Sequence, residues 1–354
     1  MTDLNNRQQI SAIDKANALG SIEQLPEQCE QALKECSEIT LPDDYPTVSH
    51  VVVTGMGASW LGAHIMQGLL ADRLTRPLLV LHDYQVPEFV SAKTLVIASS
   101  YSGTTEETVS ALGEAQDRGA KVITISTGGD LSKFAKTNNL PHYTYAGTHN
   151  PARSPRLGLG YSIVAQMVML SKIGVVSITT SEITDMIVQL KKRVVELTVE
   201  SSDNPAKQMA REAMGFMPIV AAGTFLLGNA HAWANQFNET AKTFSTYMQI
   251  PELNHHLMEG LAHPPEVQKL KFLFIESSLY DERVQKRFSV TKEVVEQNKI
   301  SHFTYQPKGA TKLIQAFDTL LFGSFVTFYL AMLNGVDPAP NPYVDYFKKR
   351  LKEI

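Results

Sequence analysis

The 354-residue chain is expected to fold as α/β, in two doubly wound parallel-sheet units of flavodoxin-like layering. Three observations carry that expectation. The length is roughly twice the ~150 residues of an ordinary domain. Short Val/Ile/Leu-rich runs alternate with amphipathic stretches, the pattern of strands covered on both faces by helices. The first strand-to-helix turn, residues 51–66, is echoed by residues 219–234, where Val220 lies in the strand and Gly223 takes the turn.

Residues 1–45 read as a helical lead-in. The apolar spacing of 10–39 is helical, is broken at Pro26, and ends in Leu41-Pro42-Asp43-Asp44. In a first unit over 46–178, strands are expected at 50–54, 78–82, 95–99 and 122–126, with helices at 59–71 and 105–118. Residues 179–212 form a connector, with one long helix over 179–211. A second unit over 213–334 repeats the pattern, with strands at 218–222, 271–275 and 301–305 and helices at 225–237, 281–298 and 311–334. Residues 335–354 are a loop and a final helix over 343–352.

Composition narrows the function. With 44% hydrophobic and 19% charged residues the chain has ample material for folded cores. Lys plus Arg number 32 against 36 Asp plus Glu, a net charge of −4 without a basic stripe, which argues against a nucleic-acid partner. No basic segment followed by an apolar run opens the sequence, so a cytoplasmic setting is expected. The longest apolar stretch, 320–333, is interrupted by Gly323, Ser324 and Thr327 and reads as too short for a membrane span. Cys29 and Cys36 lie two helical turns apart, a poor geometry for a disulfide, and no second Cys/His pair supports zinc. His231, His255, His256 and His263 show no ligand spacing, so neither a metal nor another cofactor is expected.

Two loops carry chemistry. Gly55-Met56-Gly57-Ala58-Ser59 follows a strand and opens a helix, where amides and the helix dipole attract an anion. It departs from the dinucleotide fingerprint because Trp60 stands in the place of the third glycine. Ser99-Ser100-Tyr101-Ser102-Gly103-Thr104-Thr105-Glu106-Glu107-Thr108 gathers several hydroxyls at another helix start and suits a phosphate monoester. A capping box of Thr104 with Glu107 would use only one of those hydroxyls.

The second loop resembles the phosphosugar loop of sugar isomerase (SIS) domains, and the resemblance extends along nearly the whole chain. Gly55–Ser59 is similar to the family's first glycine turn, with Ala58 where Gly is more usual. Pro155-Arg156-Leu157-Gly158-Leu159-Gly160-Tyr161 resembles the arginine segment of the bifunctional phosphoglucose/phosphomannose isomerases. Asn235-Gln236-Phe237-Asn238-Glu239-Thr240-Ala241-Lys242 and Pro251-Glu252-Leu253-Asn254-His255 resemble two catalytic segments of that subfamily. Gly335-Val336-Asp337-Pro338 and Asp345-Tyr346-Phe347-Lys348 resemble its C-terminal helix.

The resemblance implies an aldose-ketose isomerase acting on glucose 6-phosphate, and on mannose 6-phosphate, to give fructose 6-phosphate. It implies a sugar-phosphate ligand, no cofactor, and a homodimer in which His255 reaches the partner's active site. Phosphate binding falls to Gly57, Ser59, Ser100, Ser102 and Thr105, with Thr104 close by. The resemblance, with the chemistry beside it, implies the rest. Moving a carbonyl between C1 and C2 needs a base, Glu239, and a cation near the enediolate, Arg156. It needs a near-neutral proton carrier for ring opening, His255, and a second cation for the sugar oxygens, Lys348. Arg153, His256 and Lys349 are their neighbouring rivals. A phosphosugar sensor is the non-catalytic alternative, but no basic helix-turn-helix unit precedes Tyr45. The isomerase half of a glucosamine 6-phosphate synthase is another, but Thr2 follows Met1 where such an enzyme would carry a nucleophilic Cys.

Overall fold

The computed structural model describes residues 2–353. It opens with α1 (Arg7–Ile13), α2 (Ala18–Glu23) and α3 (Leu25–Glu38). Pro26 begins α3 instead of breaking a helix, since in the first turn its missing N–H has no partner to lose. Cys29 and Cys36 are unpaired and buried on this helix.

The first sheet unit runs β1 (His50–Thr54), α4 (Ala58–Leu69), β2 (Leu78–Leu81), β3 (Thr94–Ser99), α5 (Glu106–Asp117), β4 (Lys121–Ser126), α6 (Gly129–Thr137), β5 (His142–Thr144) and α7 (Leu159–Lys172). Its five strands are all parallel, in the order β2-β1-β3-β4-β5, with Val52 opposite Leu79 on one side and Val96 on the other. This order reverses between β1 and β3, which places the ligand crevice at the carboxyl ends of those strands.

The expected single helix over 179–211 is two helices, α8 (Thr180–Leu197) and α9 (Pro205–Ala213). The break comes where Asn204 caps the backbone of Ala206 and Lys207 and Pro205 starts a new first turn. The second sheet unit then runs β6 (Met217–Gly223), α10 (Leu227–Glu239), β7 (Thr246–Ile250), α11 (Leu253–His256), β8 (Leu270–Ile275), α12 (Glu282–Gln297), β9 (Ser301–Tyr305) and α13 (Lys312–Asn334), followed by α14 (Pro342–Leu351). Its parallel order β7-β6-β8-β9 repeats the first four positions of the first sheet.

α13 is longer than the apolar stretch read from sequence. Its 23 residues pass for a membrane span by length and composition, yet its apolar window is wholly buried inside the protein, which makes it a core helix. One continuous apolar cluster joins α1–α3, both sheets and α13.

The two units meet where α4 and α10 pack antiparallel. A Cβ on Gly228 would lie 2.4 Å from the Ile65 backbone, and one on Gly68 would lie 3.1 Å from the Thr224 carbonyl. His64 and His231 touch in the middle of the seam. The backbones approach so closely that only glycine fits at residue 228. Gly228→Val is expected to cost about 3 kcal/mol or more by forcing the helices apart, read as a lowered urea midpoint or as insoluble expression.

Candidate functional site

β1 and β3 end side by side at the carboxyl edge of the first sheet. Gly57 takes φ +51° and ψ −126°, a shape suited to glycine, and the space beyond its Cα is open. Ser59 is buried at the start of α4, and its Oγ accepts the Tyr101 N–H at 3.0 Å. Ser100 is also buried. Its Oγ accepts the Gly103 N–H at 3.1 Å and bonds the Thr105 hydroxyl at 2.7 Å. Ser102 and Thr104, with hydroxyls 3.1 Å apart, are exposed.

Thr105, not Thr104, is the N-cap of α5, and no side chain caps that helix. The capping box is therefore not formed, and the first-turn amides stay available to an anion. Ser59, Ser100 and Thr105 shape the cradle, while Ser102, Thr104 and the α5 amides face outward. Sequence reasoning missed Gly128 and Gly129. A Cβ on Gly103 would fall 1.9 Å from the Gly128 carbonyl, and one on Gly129 would fall 2.5 Å from the Ser102 carbonyl, so the two loops interlock. The tandem glycines after β4 were the available signal.

Tyr101 links this cradle to the arginine segment. Its hydroxyl accepts from Asn150 Nδ2 at 2.9 Å, and its ring lies against Gly158, where a Cβ would approach Tyr101 Cε2 to 2.8 Å. Buried Gln28 braces the same turn by donating from Nε2 to the carbonyls of Leu157 (2.8 Å), His149 (3.0 Å) and Ser21 (3.1 Å).

Arg156 on this turn is 2% exposed. Nε donates to Thr240 Oγ1 at 2.9 Å, Nη1 to Glu239 Oε2 at 3.1 Å, and Nη2 to the Ala339 carbonyl at 3.1 Å and to that of Pro338. Arg156 is thus a buried clamp beside Glu239, with all three guanidinium nitrogens engaged by protein groups. Glu239, the last residue of α10, also accepts from Asn235 Nδ2 at 2.6 Å and Asn341 Nδ2 at 2.7 Å. Lys242, in the left-handed region at φ +53°, donates to Pro340 O at 2.5 Å, to Asn341 Oδ1 at 3.2 Å and to Glu239 O. Burial, then the charge of Arg156, brings its ammonium down to about 8. The parts played by Asn235, Lys242 and Asn341 went unread, because most of these partnerships join residues far apart in sequence.

His255 and Lys348 lie elsewhere. α10 runs back from the carboxyl edge of the second sheet, so Glu239 ends at that sheet's amino edge; β7 then crosses the sheet and delivers exposed His255, on α11, to the carboxyl edge. A five-residue strand at about 3.3 Å per residue makes that crossing roughly 16 Å. Lys348 is on α14, which buries none of its residues. One chain therefore gathers the anion cradle, Arg156 and Glu239, and leaves His255 and Lys348 outside the cluster.

The corresponding turn of the second unit is closed. Tyr280 is 4% exposed, and its hydroxyl accepts the Gly223 N–H at 3.1 Å and donates to the Ile275 carbonyl at 3.1 Å, filling the place an anion would take. Among the described residues no three His, Cys, Asp or Glu side chains converge as a metal-ligand set.

In the seam, His64 Nδ1 and His231 Nδ1 are 3.2 Å apart, with Trp60 tilted against His64 and edge-on to His231, and Tyr247 stacked on His231. Burial lowers both imidazoles, and His231, with His64 and His82 nearby, falls to about 3. Both are neutral when folded at neutral pH, so below pH ~6.5 the unfolded chain takes up protons that the folded one refuses, and stability falls with pH. His231→Gln is expected to flatten this acid slope. About 1 kcal/mol of the loss between pH 6.5 and 5 disappears, less than the one-proton figure of ~1.4 kcal/mol per pH unit because solvent reaches the ring. Urea unfolding at each pH measures it.

Two family models match the chain. The SIS domain covers residues 47–175, and the bacterial phospho-glucose isomerase C-terminal SIS domain covers residues 202–351. The bifunctional phosphoglucose/phosphomannose isomerase of Caldicellulosiruptor bescii is 30% identical over 339 residues, which is 94% of this chain and 98% of that one. Its namesake from Aquifex aeolicus is 28% identical over 86% of this chain and 90% of its own length. Among solved structures, a hypothetical protein from Thermus thermophilus superposes with a TM-score of 0.75 over 98% of this chain and 92% of that one, at 14% identity, a likeness of fold.

Proposed function

Because this chain belongs to the bifunctional phosphoglucose/phosphomannose isomerase family, we propose that it interconverts glucose 6-phosphate and mannose 6-phosphate with fructose 6-phosphate through a cis-enediolate. The observation that carries the reading is Glu239, whose two carboxylate oxygens are held by Arg156, Asn235 and Asn341 on the side of the molecule that holds the open anion cradle.

The 6-phosphate sits on the α5 amides and the Ser102 and Thr104 hydroxyls, with the loop shaped by Gly57, Ser59, Ser100 and Thr105. This fixes one end of the opened sugar and brings C1 and C2 to Glu239, which takes a proton from one carbon and returns it to the other. Arg156 orients that carboxylate and keeps a buried positive charge beside the developing enediolate. Mannose and glucose configurations differ at C2, so a pocket serving both lets the opened sugar rotate about C2–C3. Ring opening falls to the partner subunit's His255, with Lys348 holding sugar oxygens. The separation of His255 from Glu239 within one chain supports this homodimer. Two unpaired buried thiols fit a reducing cytoplasm.

In a coupled assay from fructose 6-phosphate, the wild type is expected to form both aldose phosphates, and Glu239→Gln to lose at least about 1,000-fold in kcat with little change in KM. Binding without turnover in the wild type defeats the reading in favour of a sensor. Mixing Glu239→Gln with His255→Ala subunits is expected to restore about a quarter of wild-type activity, since half of the randomly formed dimers carry one complete site. A mixture as inactive as its parents refutes the shared site.

A further inference from the structure

A cavity of about 130 Å³ opens between α8 and the first turns of α13, beside the loop that follows β9. It lies apart from the groups described so far. Asp318 of α13 lines it, and Asn334 at the far end of the same helix donates to the Ala241 carbonyl, so at 1.5 Å per residue the cavity is about 24 Å along the helix from the turn that follows Glu239. β7, which leads to His255, is the opposite edge of the second sheet from β9, three strand spacings or roughly 14 Å away.

Arg193 lines the cavity and is only 6% exposed. Its Nε donates to Asp318 Oδ1 at 2.9 Å and its Nη1 to Glu196, whereas Nη2 makes no hydrogen bond among the described residues and is not sealed from solvent. A buried guanidinium seeks an acceptor for every nitrogen, and the open space this one borders is the cavity. The two carboxylates of the lining are already met. Asp318 accepts from Arg193, from the Tyr305 hydroxyl and from the Lys308 N–H at 2.8 Å, and Glu196 accepts from Arg193 and from Lys308 Nζ at 2.8 Å. Lys192, exposed on the rim, has no carboxylate partner among the described residues. Three cations thus face two carboxylates.

The rim is held in place before any ligand arrives. Gly309 takes φ +122°, and a Cβ there would lie 2.4 Å from Ile314 Cγ2, so the loop closes tightly on α13 only with glycine. The Gly309 carbonyl accepts from Gln315 Nε2 at 3.0 Å. Leu190 and Ile314 give the cavity an apolar wall.

We propose that this cavity binds a small carboxylic acid, whose carboxylate meets Arg193 Nη2 and the Lys192 ammonium and whose short carbon chain lies on Leu190 and Ile314. One carboxylate cancels the single excess positive charge, while a phosphate dianion would overshoot it and press on Glu196 and Asp318. At about 10–15 Å³ for each water held, the space takes roughly ten waters, which suits an acid of about ten non-hydrogen atoms or fewer and is too small for a hexose 6-phosphate. None of the lining residues belongs to the anion cradle or contacts Glu239, so the site is independent of the isomerase activity.

The test is ligand-observed saturation-transfer NMR on the full chain, titrated with butyrate, with pyruvate and with butyramide, the uncharged counterpart of butyrate. Both acids are expected to saturate with a Kd of about 1 mM, and butyramide to bind at least about tenfold more weakly. Lys192→Glu reverses the rim charge, and Gln189→Trp fills the mouth from an exposed position on α8. Each is expected to weaken butyrate at least about tenfold while circular dichroism and the urea midpoint stay those of the wild type, since both positions are exposed. Failure of both acids to saturate by about 20 mM overturns the proposal. Undiminished binding in either variant places the acid elsewhere and overturns it as well. Butyramide binding as tightly as butyrate shows that only the apolar wall is read, which refutes the carboxylate contact.

Discussion

The antiparallel contact of α4 with α10 fixes where every functional group of this protein can be. α4 starts at the anion turn of the first sheet, and α10 ends at Glu239. Because glycine at 228 lets the two backbones touch, and because they run in opposite directions, the end of one helix falls beside the start of the other. The 3-10 turn Pro155–Leu157 packs against both helices and brings Arg156 between them. The same geometry sends the carboxyl edge of the second sheet, with His255, to the other end of the molecule. Proximity of Glu239 to the cradle and separation of Glu239 from His255 are two results of one packing decision.

Within that frame, Arg156 joins three segments that are distant in sequence. Removing a guanidinium from water is expensive, and the cost is tolerable only when its donors are met. Here they are met by Thr240 and Glu239 at the end of α10 and by two carbonyls of the arm that leads to α14. Lys242 holds the next stretch of the same arm, and through it Asn341 returns to Glu239. The carboxylate's direction is therefore set by a small closed network instead of by its own rotamer preference. A side chain held this way gives up little further conformational freedom when substrate arrives.

Much of the fold was legible because parallel strands buried on both faces read as unbroken apolar runs, as Val51–Val53 and Leu95–Ala98 do. β5, with three residues, and β7, whose residues are mostly half-buried, lacked such a run and were passed over, as were α6 and α7. Pro26 and Pro205 were the ambiguous signals. Proline marks a helix start as well as a helix end, and only the cap at Asn204 decides the second case. In the site, the hydroxyl-rich loop was legible from local sequence because phosphate binding at a helix start uses adjacent residues. The occupancy of Arg156's donors was not, since Thr240, Pro338 and Ala339 become its neighbours only after the two units pack.

The two halves repeat one strand order but not one chemistry, and the difference comes down to what fills the first turn. In the first unit the space beyond Gly57 is open, and the neighbouring hydroxyls brace the loop around it. In the second, the Tyr280 ring packs against Gly223, and its hydroxyl satisfies the turn's amide from within. A buried tyrosine bonded on both sides of its oxygen needs no ligand and admits none. That edge of the second sheet, relieved of anion binding, is the edge where the chain places α11 and the exposed acidic segment after it. The duplicated fold thus has two different kinds of edge, one an open anion turn and the other a closed turn beside a segment that presents its side chains outward.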